Sequence, residues 1–140
     1  MKFKNFIINK KNIFIFCFIL TSLPLIFITC MYVTARRTGL EGARGGPQDA
    51  FRHTYTSAFV ARYASPHLVK IATALTERNS NSEYDKMDIH NNYLGIQLGL
   101  SNIDLYSTII NKIKNVELKT KDHNKIYIMD KSDWKSSDIF

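Results

Sequence analysis

A chain of 140 residues, 45 % of them hydrophobic, with 19 Lys and Arg against 12 Asp and Glu, has room for one domain. Its net charge of +7 is largely an N-terminal effect, because four lysines precede position 12 and all acidic residues follow position 35. The other 15 basic residues are dispersed among the 12 acidic ones, which argues against a nucleic-acid partner. Both cysteines, Cys17 and Cys30, fall in one apolar stretch, so neither a disulfide, a thiolate nucleophile nor a cysteine-ligated zinc is expected in the rest of the chain.

Lys2, Lys4, Lys10 and Lys11 lead into Ile13 to Val33, a run of 21 residues without a charge. That is enough for a helix to cross a bilayer with its backbone polar groups satisfied. Val33-Thr34-Ala35 also fits a signal cleaved after Ala35, but signal cores are usually shorter, about 7–15 residues, so the uncleaved anchor is the favoured reading. The four leading lysines outweigh Arg36, Arg37 and Arg44 beside Glu41 and place the N-terminus on the cytoplasmic side. Residues 1–35 are thus an anchor or signal, 36–46 a glycine-rich linker, and 47–140 a helical domain.

Pro47 suits a first helical turn, and Phe51, Tyr55, Ala58 and Phe59 continue one apolar stripe, which predicts a helix from Pro47 to Tyr63. Ser65-Pro66 opens a second helix that carries Leu68, Ile71, Ala72 and Leu75 to about Glu77. Arg78 to Tyr84 reads as a loop. A third helix is expected from Lys86 to Leu98, with Gly99 as its cap and Gly95 permitting a close helix crossing, and a fourth from a Ser101 cap to Lys114. VELKT and KIYIMD alternate apolar and polar residues around Lys121-Asp122-His123-Asn124 and predict a β-hairpin, with Trp134 covering it or packing on the core. The expected fold is mainly α: a transmembrane or signal helix, then a small four-helix domain with a C-terminal hairpin.

Two polar clusters carry the chemistry. Asp49 and His53 are four apart, on one helix face bordered by Arg52, and a carboxylate there orients an imidazole or shares a metal with it. Asp88, His90, Asn91 and Asn92 crowd the third helix, where two asparagines are poor helix formers and so are placed by something other than propensity. Together these side chains suit a divalent metal such as zinc or manganese on His53, Asp88 and His90. They equally suit a metal-free mechanism, with Asp49 and His53 as the base and Glu77 as proton donor. His67 and His123 are expected at the surface. No HExxH, GxSxG, phosphate-loop or EF-hand pattern occurs.

DAFRHTYTSAFVARY, ATALTE and MDIHNNYLG resemble a pattern of the form DAFRHAYWSALLAR, AHE and MDLHNNxxG, found in uncharacterised bacterial domains similar to the C-terminal parts of wall-associated and polymorphic-toxin-like proteins. The resemblance spans Gly46 to Gly99 and implies that Asp49, Arg52, His53, Arg62, Glu77, Asp88, His90, Asn91 and Asn92 are its characteristic polar positions. Thr56 replaces the pattern's tryptophan and Thr76 its histidine. The resulting expectation is a hydrolase at a bacterial inner membrane, its domain on the outer side, or secreted if cleaved. Asp49, His53, Glu77, Asp88 and His90 are the expected catalytic set; Arg52, Arg62, Asn91 and Asn92 would bind a lipid, peptidoglycan or phosphoester. The alternative is a non-enzymatic or degenerate envelope protein whose polar clusters tie helices together.

Overall fold

The computed structural model describes residues 10–76, 82–116 and 118–136. They form α1 (Lys10–Arg37), α2 (Pro47–Tyr63), α3 (Pro66–Thr76), α4 (Glu83–Gly99), α5 (Leu105–Lys114) and a short 3₁₀ turn (Lys131–Asp133). The fold is mainly α, as the periodicity predicts. α2 is the central element, packed on by each of the other four α-helices.

That position follows from the composition of α2. Ala50, Phe51, Thr54, Ser57, Ala58 and Ala61 are all buried, and the small side chains among them let a neighbouring helix come close. α4 supplies the matching surface. A Cβ on Gly95 would lie 2.5 Å from the Thr54 carbonyl oxygen, and one on Gly99 would lie 2.4 Å from that of Ala58. Any side chain at either position would push the helices apart. Gly99 therefore serves the crossing rather than the cap, and Leu100 terminates the helix.

Two helix starts differ from the sequence expectation. α4 begins one turn earlier, because the Ser82 hydroxyl accepts from the Asp85 N–H and caps it inside the stretch expected as a loop. α5 begins later, at an Asp104 cap whose carboxylate accepts from the Ser107 N–H. Residues 100–103 make a turn instead, their carbonyls drawn toward Arg62. The linker is hydrogen-bonded at several points: Gln48 and Asp49 donate to the carbonyls of Glu41 and Gly42, and Met129 donates to that of Gly45.

The expected β-hairpin is not a sheet. No strand occurs among the described residues, only an isolated bridge between Arg44 and Lys135. Lys119 N–H does reach the Ile128 carbonyl at 2.9 Å, but the pairing stops there. The reason is that α4 takes the next backbone groups. Asn91 accepts from the Tyr127 N–H at 3.0 Å and donates to its carbonyl at 2.9 Å, so one amide side chain stands where a partner strand would pair. The alternation reports the pleat correctly, since Ile126 and Ile128 both face inward into the core with Leu105, Ile109 and Ile113. Trp134 packs on that core as expected and donates its indole N–H to the Met129 carbonyl.

α1 has 28 residues and ends in this core, with Ala35 only 2 % exposed. Its Phe27 ring meets Phe59 of α2 at 5.7 Å. Among the described residues no helix is long and apolar enough to cross a membrane. The side chains of Phe16, Ile19 and Leu20, in the middle of the apolar run of α1, lie outside that description, so the membrane-spanning expectation rests on the sequence of Ile13 to Val33.

Candidate metal centre

The α2–α4 crossing brings two helical i,i+4 pairs face to face. Asp49 and His53 stand one turn apart on α2, and Asp88 and Asn92 stand one turn apart on α4. His53 Nε2 lies 3.5 Å from an Asp49 carboxylate oxygen and 3.4 Å from one of Asp88. One donor atom from each of the three residues falls within 4.8 Å of the others, and the group could hold a metal ion. Two ligands about 2.1 Å from one ion at a tetrahedral angle are about 3.4 Å apart, so both separations involving the imidazole fit a single small cation.

The second ring nitrogen fixes the first. His53 Nδ1 is 3.3 Å from the Asn92 side-chain oxygen, which also accepts from the Ser57 hydroxyl at 2.8 Å. An oxygen acceptor there places the imidazole proton on Nδ1 and turns the Nε2 lone pair toward the two carboxylates. Asn92 is held in turn by donating its amide to the Thr73 hydroxyl at 3.1 Å. Burial holds the His53 pKa below its ordinary value of 6.5 against the opposing pull of Asp49, with Arg52 adding to the decrease. Its side chain is nonetheless 18 % exposed, so a neutral ligand or base faces an opening to solvent.

A lone pair aimed at two carboxylates demands positive charge between them. Arg52 supplies part of it. One of its terminal nitrogens bonds to the Asp49 carboxylate and lies 3.3 Å from His53 Nε2. Asp49 itself is buried and also accepts from the Gly45 N–H at 2.8 Å. Gly45 has φ +76°, a conformation that side chains disfavour, and it points that N–H back at the first turn of α2.

The remaining expected site residues go elsewhere. His90 is not in this group: its Nε2 is 2.8 Å from the Lys125 carbonyl, and its ring lies against those of His123 and Tyr127. Asn91 holds Tyr127. Arg62, expected to meet substrate, spends its guanidinium on carbonyls at the end of α4 and in the turn that follows it, among them Gly99 at 3.2 Å and Ile103 at 3.0 Å. Glu77 lies outside the described residues. Thr76 is exposed at the end of α3 with its hydroxyl on the Ala72 carbonyl. His67 and His123 are exposed, as expected. Ser57 and Thr73, which steady Asn92, are positions of the candidate site that the sequence reading above does not name. Ser57 follows His53 by four, a signal available in the sequence; nothing marked Thr73.

No curated protein and no solved structure matches this chain. A family model does, over residues 15–124, a span that takes in most of α1, the whole α2–α4 crossing and α5. The chain therefore belongs to the family described as a domain of unknown function, DUF6973.

Proposed function

We propose that this chain is a membrane-anchored hydrolase that works at the cell envelope with one divalent cation, zinc or manganese, on an anionic phosphoester substrate. The observation that carries the reading is the convergence of Asp49, a neutral His53 and Asp88 on one partly open point. A divalent cation at such a point supplies Lewis acidity and a more acidic water. Asn92 keeps His53 in the tautomer a cation needs. Arg52, 31 % exposed at the mouth, exchanges its bond to Asp49 for one to substrate oxygens when a cation takes its place.

The anchor reading draws on the charge-free run from Ile13 to Val33 within one helix and on the packing of Ala35 into the core. Loss of α1 after Ala35 would strip the contact between Phe27 and Phe59, which favours retention over cleavage. A second reading has its own observation. Because Arg52 already bridges Asp49 and His53, the cluster also suits a structural polar network in a degenerate relative, as Thr76 in place of histidine would accompany.

The test is hydrolysis by the full chain in phospholipid vesicles, assayed on phosphodiester reporters and on the vesicle lipid with zinc or manganese added. The expected result is chelator-sensitive turnover that His53→Ala abolishes and His90→Ala leaves. Turnover no higher than in His53→Ala at any metal concentration, with that variant melting at lower temperature, would establish the structural network instead.

A further inference from the structure

α1 and α2 run antiparallel. A short connector joins them, and Phe27, ten residues before the end of α1, meets Phe59, twelve after the start of α2. This geometry has a consequence at a bilayer. Phe27 lies six residues inside the apolar run that ends at Val33, a depth of about 9 Å along the axis. The part of the run that precedes it, Ile13 to Ile26, is only about 21 Å long, whereas a hydrocarbon core is about 30 Å thick. If α1 enters the bilayer with its whole apolar run, the far end of α2 enters the interface with it.

The corner that would be drawn in has the composition for it. Phe59 passes the contact on to Tyr63, with ring centroids 4.6 Å apart. Tyr63 is 68 % exposed, and the adjoining α3 presents Leu68, Ile71 and Leu75 at 53, 57 and 63 % exposure. Those three share one face by helical spacing, while Val69 is the buried residue of α3 and faces the protein. Among the described residues, nothing in the fold accounts for this apolar outer face of α3, whose buried residue is Val69. Lys70 on α3 is exposed and residues 60–76 hold no acidic side chain, which suits anionic headgroups.

We infer that the α2–α3 corner lies in the membrane interface, with Tyr63, Leu68, Ile71 and Leu75 against lipid acyl chains and Lys70 reaching to the headgroups. This rests on the anchor reading of α1, and it turns α1 from a tether into one wall of a membrane-seated domain. The cation centre then stands beside the lipid layer, since Thr73 of α3 holds Asn92, and membrane phospholipid becomes the nearest phosphoester.

The test uses the full chain with Cys17→Ser and Cys30→Ser, reconstituted in phosphatidylcholine and phosphatidylglycerol vesicles, with an environment-sensitive fluorophore on Ile71→Cys or, as a reference, on Lys86→Cys at the exposed start of α4. Expected is co-flotation of both proteins with the vesicles. The label at 71 should be blue-shifted, several-fold less quenched by iodide than the label at 86, and strongly quenched by brominated lipid. Co-flotation with equal iodide quenching at the two positions would overturn the seating and leave the anchor intact. A label at 71 shielded from iodide but untouched by brominated lipid would assign the face to a second copy and also overturn it. Absence of co-flotation would overturn the anchor reading and this inference together.

Discussion

Asn91 and Asn92 are neighbours in sequence and opposites in the molecule. Asn92 faces α2, where its side-chain oxygen orients His53 and its amide holds Thr73. Asn91 faces the C-terminal segment, where the same functional group replaces a β-strand for Tyr127. The histidines divide in the same way: His53 looks at two carboxylates, His90 at a backbone carbonyl. A motif that reads as one cluster, Asp-x-His-Asn-Asn, is thus split by the rotation of about 100° per residue in a helix. Only Asp88 and Asn92, four apart, belong to the centre; His90 and Asn91 hold the fold.

The largest effect should come from the histidines. His53→Ala removes one of three converging donors and should abolish cation binding, whereas His90→Ala should bind as wild type. Equilibrium titration with zinc or manganese reads both, and equal loss in the two variants would undo the division.

The asparagines sharpen it further. Asn92→Ala should weaken cation affinity by about 10- to 100-fold, the usual cost of losing a group that orients a ligand. Asn91→Ala should leave affinity unchanged and lower stability by about 1–3 kcal/mol, since it orphans two part-buried backbone groups of Tyr127. Chemical denaturation of both variants, beside the titration, separates the two roles.

Gly95→Ala tests what brings the halves together. Its Cβ would meet the Thr54 carbonyl at 2.5 Å, so the helices must separate. A loss of about 1–3 kcal/mol is expected from such overpacking, accompanied by weaker cation binding because both i,i+4 pairs move apart. Unchanged affinity in a destabilised variant would show that the centre does not depend on the crossing.

The smallest effect is in pH. Burial lowers the His53 pKa in the folded chain below the ordinary 6.5. The unfolded chain thus takes up the proton first as pH falls, and the contribution of His53 to stability is complete above about 6.5 and lost as pH drops through the folded value. One such group changes stability by at most about 1.4 kcal/mol per pH unit. Denaturation midpoints at pH 7.5 and 5.5 should fall less in His53→Gln than in wild type.

Most of the helical framework is legible in the residues. Pro47 and the apolar spacing fix α2 at both ends, because a buried central helix writes a clear stripe. The starts of α4 and α5 are harder, since several capping residues compete in polar stretches and tertiary contacts choose among them; Arg62 draws the carbonyls of residues 99, 101 and 103 and leaves Asp104 as the cap of α5. The hairpin reads wrongly for the same kind of reason. Alternation specifies an extended backbone, but the identity of its partner is a long-range fact, and here it is the side chain of Asn91. At the centre, Asp49 with His53 is visible as an i,i+4 pair, while its alignment with Asp88 and Asn92 depends on two glycines: Gly95 is legible as a crossing residue, whereas Gly99, at the helix end, reads as a cap and shows its part only in the crossing.

The measurement that bears most directly on the account is the metal content of the purified full chain, beside His53→Ala and His90→Ala, by elemental mass spectrometry after equilibration with zinc and manganese. Near-stoichiometric metal is expected in the wild type and in His90→Ala, and none in His53→Ala. Metal absent from all three, or lost equally from both variants, would contradict a centre built from Asp49, His53 and Asp88.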